Sequence, residues 1–94
     1  MYVDDIIWLP EIIDKLGWKH GVTPEEVDAT LFSNPKYRKV QKGHRPGEDV
    51  YAALGQTESG RYLIVFFVYK RNGEALILSA RDMDRKERRQ YERQ

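Results

Sequence analysis

The fold is decided by RYLIVFFVYKRNGEALILSA, residues 61–80. Every residue from 63 to 69 is apolar or aromatic, which is typical of a central β-strand buried on both faces. Asn72-Gly73 separates this run from a second apolar run, and Asn-Gly in that position is the strongest short-range signal of a β-hairpin. The stretch therefore predicts two antiparallel strands in the middle of a sheet.

Two further runs, in which polar and apolar residues tend to alternate, precede this hairpin. Residues 49–57 are joined to it at Glu58-Ser59-Gly60, a turn with glycine where a positive φ is needed, and residues 37–42 alternate more weakly. Together the runs predict an antiparallel meander of three or four strands.

Alternation along the last strand predicts which side chains share a face. Leu76, Leu78 and Ala80 are expected to point towards the helices. Ile77, Ser79 and Arg81 are expected on the face that the helices leave open.

Three helices are predicted around this meander. A β-prone run at 2–8 leads through Pro10 into a helix at 11–19, and a capping box at 23–26, TPEE, begins a second helix. Asn-Pro at 34–35 ends that helix. A further capping box, Asp84 with Glu87, begins a C-terminal helix that runs through Tyr91. The layout is β-α-α-β-β-β-β-α, which belongs to the α+β class.

Composition limits what such a chain can be. With 94 residues it is expected to form a single domain, residues 1–94, and 40% hydrophobic and 33% charged residues predict a folded protein. The absence of cysteine excludes disulfides, thiolate metal sites and a thiol nucleophile, and it suits a reducing cytoplasm. No apolar run approaches the roughly 20 residues of a spanning helix, so we expect no membrane association.

Charge is unevenly distributed along the chain. Residues 1–35 carry two bases and seven acids, whereas residues 36–47 carry five bases and no acid. Residues 79–94 carry six bases and four acids. Any contact with nucleic acid is therefore expected in the second and third of these segments.

Several passages resemble the BrnT family, small relatives of the RelE/ParE-fold ribonucleases. The strongest are Lys-His-Gly-Val at 19–22 before a capped helix and Ser-Ala-Arg at 79–81 before an Arg/Glu-rich helix with a tyrosine. Trp8, Ala-Leu-Gly at 53–55 and Gly-Arg at 60–61 extend the resemblance over nearly the whole chain.

This resemblance implies a RelE/ParE-like antiparallel β-sheet with two N-terminal helices packed on one face and a C-terminal helix. It also implies an endoribonuclease toxin of a bacterial type II toxin–antitoxin system, which inhibits translation in the cytoplasm without a metal or other cofactor. A cognate antitoxin would neutralise it, in a homodimer or a toxin–antitoxin heterotetramer. Leu9, Ile12 and Leu16 stand at positions in or near the first helix where the family often has polar residues. Val50 and Tyr51 stand at the start of the third strand, where the family often has a basic residue.

Metal-independent cleavage of RNA needs a base for the 2′-hydroxyl, cations for the charged phosphorane and an acid for the leaving 5′-oxygen. A guanidinium on the open face can grip two phosphate oxygens, a tyrosine can donate a proton, and histidine titrates near neutral pH. The catalytic candidates are Arg81, Arg88, Tyr91 and His20. Their structural alternatives are an ion pair of Arg81 with Asp82 or Glu87, a packed Tyr91, a solvated Arg88 and a helix-capping His20.

A second group of candidates would bind RNA. Five cations and an aromatic ring follow one another in residues 36–45, a composition that suits a phosphate backbone with a base to stack. The RNA-binding candidates are Lys36, Tyr37, Arg38, Lys39, Lys42, His44, Arg45 and Arg61. The structural alternative is a charged edge strand that discourages aggregation. No metal-ligand spacing or phosphate-binding glycine loop occurs, so no metal site is predicted.

Two other functions remain open on the sequence. The apolar replacements in the first helix allow a catalytically silent, toxin-like domain that binds antitoxin or RNA without cleavage. An exposed Tyr/Phe face would instead suit a structural subunit that forms oligomers.

Overall fold

The computed structural model describes residues 1–93. Three helices and five strands follow one another in the predicted order, and the α+β class is confirmed. Their bounds are β1 Asp5–Ile7, α1 Pro10–His20, α2 Pro24–Phe32, β2 Lys36–Gln41, β3 Val50–Gln56, β4 Tyr62–Tyr69, β5 Glu74–Asp82 and α3 Arg85–Arg93.

The five strands form one sheet in the order β1-β5-β4-β3-β2. Strands β2 to β5 are the predicted antiparallel meander, with β4 in its centre. β1 adds to β5 in parallel, so the whole sheet is mixed, whereas we expected an antiparallel one. Periodicity could not predict this pairing because a three-residue strand carries no information about its partner.

Helices α1 and α2 cover one face of the sheet, which we call the helix face. Pro10 stands in the first turn of α1, and Gly21 ends that helix with a φ of 61°, in the left-handed region that glycine tolerates. Thr23 and Glu26 form the predicted capping box of α2. The core beneath these helices contains Val3, Leu16, Val22, Val27, Leu31, Ala53, Leu63, Val65, Phe67, Ala75, Ile77 and Ala80.

A β-bulge in β5 changes the predicted alternation. Phe66 pairs with Ser79 but Phe67 pairs with Ile77, so Leu78 is the extra residue. Ile77 is consequently buried in the core of the helix face and Leu76 lies on the other face, opposite to the prediction for both. Beyond the bulge, Ala80 is buried in that core and Arg81 lies opposite, as predicted.

Helix α3 packs across one end of the other face, which we call the α3 face. Tyr91 contacts a small apolar cluster formed by Ala52, Leu54 and Ile64, with Phe66 and Met83 beside it. The predicted open face is therefore covered at this end by α3 and uncovered at the end where β4 turns into β5.

Candidate functional site

Arg81 lies on the α3 face at the end of β5, where its guanidinium meets α3. Nη1 and Nη2 donate to the two carboxylate oxygens of Glu87 at 2.8 and 2.9 Å, and Nη1 also donates to the Asp82 carbonyl oxygen. These bonds lower the pKa of Glu87. Since a guanidinium has five N–H groups, Nε and one N–H of Nη2 remain directed at no protein acceptor among residues 1–93.

Glu87 also holds the start of α3. It accepts from the Asp84 amide, and its own amide donates to the Asp84 carboxylate at 2.7 Å, which confirms the predicted capping box. The Arg81 side chain is 35% exposed and that of Glu87 10%. The structural alternative for Arg81, an ion pair with Glu87, is thus present, and it fixes α3 to β5.

Arg88 and Tyr91 lie next to each other on the underside of α3. The Arg88 guanidinium lies 4.0 Å from the centre of the Tyr62 ring and pairs with Glu92 at 3.6 Å. The Tyr62 and Tyr91 rings meet edge to face with centroids 6.0 Å apart. Arg88 is exposed and Tyr91 half-buried, so a ligand can reach the guanidinium more easily than the phenol.

Lys36 and Arg38 extend this site onto β2. The Lys36 ammonium donates to the Tyr91 carbonyl oxygen and lies 4.8 Å from the centre of the Tyr91 ring. Arg38 donates to the Gln90 side chain at 3.1 Å. A groove of about 120 Å³ runs between β2 and α3, lined by Lys36, Tyr37, Arg38, Leu54, Gln90 and Tyr91.

The rest of the predicted RNA-binding segment is divided between two faces. Tyr37 turns to the helix face, where its half-buried ring meets Phe67, and burial raises its pKa. Lys39, on the same side, pairs with Asp49 at 3.0 Å. Lys42, His44 and Arg45 are exposed in the loop between β2 and β3. Strand alternation in β2 and the loop that follows it therefore prevent residues 36–45 from forming one continuous track.

Arg61 lies at the end of β4 away from this loop and joins α1, α2 and β5. Its guanidinium donates to Asp82 at 2.7 Å, to Glu26 at 3.2 Å, and to the carbonyl oxygens of Gly21 and His20 at 2.8 and 2.9 Å. Arg61 thereby lowers the pKa of Asp82. Because these acceptors surround the guanidinium, the contacts favour a structural role.

His20 is the last residue of α1 and lies near this junction. Its carbonyl oxygen accepts from Arg61, and its side chain is half-buried. α1 covers the opposite face of the sheet from α3, so His20 is separated from the groove between β2 and α3. The structure therefore brings together Arg81, Arg88 and Tyr91 but not His20.

Four exposed cations of α3, Arg85, Lys86, Arg89 and Arg93, were absent from the predicted site. Lys86, Arg89 and Arg93 lie along the solvent side of the helix, and within residues 1–93 none of them is within ion-pairing distance of a carboxylate. Their spacing of three and four residues places them on one side of a helix, and this signal was readable from the sequence.

Over residues 1–93, no group of three or more His, Asp or Glu side chains is placed to hold a metal ion. None of the helices in that range has both the length and the apolar content needed to cross a bilayer.

A family model with the description "Ribonuclease toxin, BrnT, of type II toxin-antitoxin system" matches residues 14–87. No similar protein is found among curated proteins. The matched range begins within α1 and includes all of β2 to β5, together with the Arg81–Glu87 pair.

Proposed function

This chain belongs to the BrnT family of ribonuclease toxins of type II toxin–antitoxin systems, and we propose that it cleaves RNA without a metal ion and so inhibits translation. The family implies an antitoxin partner, and we propose that this antitoxin neutralises the activity. Assembly as a homodimer or a toxin–antitoxin heterotetramer is part of the same proposal.

One observation supports binding of RNA more than any other. The groove between β2 and α3 is bordered by Lys36 and Arg38 on one side and by Gln90 and Tyr91 on the other. The exposed cations Lys86, Arg89 and Arg93 lie on the solvent side of the same helix, next to Gln90. Each cation that meets a phosphate releases a counterion, which favours binding. The Tyr62 and Tyr91 rings lie beside these cations and offer apolar surface to bases.

Cleavage would be an attack of the 2′-hydroxyl oxygen on the neighbouring phosphorus. The 2′-hydroxyl proton passes to a solvent water, the 2′-oxygen–phosphorus bond forms and the bond to the 5′-oxygen breaks. The products are a 2′,3′-cyclic phosphate and a 5′-hydroxyl end. Arg81 would stabilise the phosphorane with its two remaining N–H groups, and Arg88 would add charge from α3. Tyr91 would donate the proton to the leaving oxygen. His20 would take part only if the RNA reached the far side of the sheet.

A second candidate function is binding of RNA or antitoxin without cleavage. The specific observation in its favour is that Glu87 already holds both terminal nitrogens of Arg81. Ile12 and Leu16, which stand at positions that are often polar in the family, pack in the core of the helix face. They can therefore supply no group for proton transfer.

The deciding experiment incubates purified protein with mixed cellular RNA, with and without excess EDTA, and separately with translating ribosomes in a buffer that contains Mg²⁺, because ribosomes dissociate without it. We expect new RNA ends with a 5′-hydroxyl, with a rate that falls about 100-fold in Arg81→Ala. Tyr91→Phe keeps the ring and removes only the proton donor, so a slower rate in that variant assigns the acid. Arg71→Ala, a surface cation away from α3, is the matched control.

Absence of cleavage in both reactions by folded wild-type protein would contradict the nuclease proposal and favour the binding function. Loss of cleavage on addition of EDTA would contradict metal independence alone. Co-expression with the protein encoded beside this gene tests neutralisation, since growth should be restored when that protein is the antitoxin.

A further inference from the structure

The uncovered part of the α3 face carries a row of aliphatic side chains across the whole sheet. Val50 pairs with Val68, Val68 with Leu76, and Leu76 with Ile7 of β1. On β2, Gln41 pairs with Val50, and Val40, the extra residue at a β-bulge just before it, is 47% exposed. We call Ile7, Val40, Val50, Val68 and Leu76 the aliphatic row. Each of these side chains is at least partly exposed, so within residues 1–93 nothing covers the row.

Phe66 and the bulged Leu78 widen this apolar surface towards α3. Leu78 is 37% exposed because the bulge turns it out of the core. Clustered exposed apolar side chains on a small protein are a common feature of surfaces that bind other molecules.

α3 forms one wall beside the aliphatic row, and that wall is cationic. α3 crosses the sheet from Arg81 on β5 to Arg38 on β2, and Gln90 bonds to Arg38 on the edge nearest the row. Lys86 and Arg93 share that edge because they are four residues before and three after Gln90. Among residues 1–93, neither is ion-paired, and both are exposed.

The opposite wall is formed by the loop between β2 and β3 and the turn between β4 and β5. A depression of about 390 Å³ lies there and is continuous with the row through Ile7. It is lined by Ile7, Pro46, Gly47, Glu48, Lys70, Arg71, Asn72 and Glu74. This wall carries both positive and negative side chains. The side of the trough that most favours a negatively charged partner is therefore α3.

We propose that an amphipathic helix of the antitoxin lies in this trough, with its apolar stripe on the aliphatic row and acidic side chains along the edge that faces α3. The proposal rests on the proposed function for the existence of that partner. Ile64 under α3 and Val68 in the row are four residues apart, which is about 13 Å along a strand, enough for a helix roughly 10 Å wide. Crossing five strands takes about 19 Å, or about 13 helical residues.

Charge favours an antitoxin helix over a second copy of the chain as the molecule that binds in this trough. A face-to-face dimer would bring the cationic edge of one α3 close to the same edges of its partner, and like charges disfavour that contact. RNA fits the row poorly, since aliphatic side chains offer bases no aromatic ring on which to stack. A helix with an acidic edge satisfies both the apolar row and the cations. It would also contact Arg38, so it would compete with RNA for the neighbouring groove.

The test uses methyl-labelled full-length protein and a synthetic amphipathic peptide of about 16 residues, with a leucine stripe and glutamates along one edge. We expect the methyl resonances of Ile7, Val50, Val68 and Leu76 to shift on titration. A second peptide, with lysines in place of the glutamates, should bind about tenfold more weakly or not at all. A single-stranded RNA oligonucleotide should shift resonances around Tyr91 before those of the row.

A double variant, Val68→Thr with Leu76→Thr, has β-branched residues at both strand positions and removes much of the apolar surface. It should bind the acidic peptide about tenfold more weakly and cleave RNA as the wild type does. Tyr2→Ser with Phe32→Ser removes exposed apolar surface elsewhere and should leave binding unchanged. Because binding and cleavage are measured separately, a protein that does not cleave RNA contradicts the proposed function and leaves the docking site standing.

Four results would overturn the docking proposal. They are equal binding of the lysine peptide, peptide-induced shifts confined to another surface, absence of any shift, and a free protein that sediments as a dimer with the row protected.

Discussion

Both carboxylate oxygens of Glu87 accept from Arg81, at 2.8 and 2.9 Å, so one bidentate ion pair connects the last strand to the helix that follows it. The same carboxylate accepts from the Asp84 amide at the start of α3. A fork of this geometry fixes orientation as well as distance, because a planar guanidinium bonds a carboxylate in one plane. The position of α3 on the sheet therefore depends on this pair.

Glu87→Gln is expected to lower the free energy of unfolding by about 1–3 kcal/mol, since it removes the charge from a mostly buried hydrogen-bonded pair. The Arg81 bonds lower the pKa of Glu87 below its ordinary value of 4.5. A lowered pKa stabilises the fold above the unfolded-state pKa and loses that effect as the pH falls through the folded-state pKa. Urea unfolding at several pH values should show the largest difference from wild type above pH 4.5, shrinking below it. A difference independent of pH would contradict this account.

Arg61→Ala is expected to lower the free energy of unfolding by about 1–3 kcal/mol, because it leaves Asp82, Glu26 and two carbonyl oxygens without their shared donor. Arg45→Ala, in the exposed loop, is the control and should change stability by less than about 0.5 kcal/mol. Thermal unfolding measures both. Equal effects of the two substitutions would remove the structural role assigned to Arg61.

Gly55→Ala tests the close packing of α2 on β3. A Cβ at position 55 would lie 3.0 Å from Cγ2 of Thr30 and 3.4 Å from its carbonyl oxygen, so Thr30 must move by a few tenths of an ångström. We expect a loss of about 1–3 kcal/mol. Thr30→Ser removes Cγ2 and keeps the hydroxyl that bonds to the Glu26 carbonyl oxygen. In that background Gly55→Ala should cost less, and a double-mutant cycle without coupling would contradict the steric explanation.

Much of the fold was predictable because its elements carry local signals. Asn72-Gly73, the capping boxes and the apolar run of β4 each act through neighbouring residues, and each is present where it was expected. The parallel pairing of β1 and the bulge at Leu78 depend on contacts distant in sequence. No periodicity within one strand can predict them, and the bulge alone reversed the expected directions of Leu76 and Ile77.

The candidate site was predictable to a smaller extent for the same reason. Strand alternation and helical spacing brought Arg81, Arg88 and Tyr91 to one face, as expected. The sequence predicts one cationic segment at residues 36–45, whereas the structure divides these residues between the two faces of the sheet and a loop. The sequence allows an ion pair between Arg81 and Glu87, but only the position of α3 shows that it forms.

Triple replacement of Lys86, Arg89 and Arg93 by glutamine measures the contribution of the cationic side of α3 to RNA binding. Each phosphate contact contributes about −0.7 to the slope of log K against log salt for a single strand, so the slope should become shallower by about 2 units. Lys15→Gln with Lys19→Gln, on exposed positions of α1 across the sheet, is the matched control and should leave the slope unchanged. Fluorescence anisotropy with a labelled RNA oligonucleotide at four salt concentrations gives both slopes. If the slope becomes shallower in the Lys15/Lys19 variant and is unchanged in the Lys86/Arg89/Arg93 variant, the RNA binds the helix face instead.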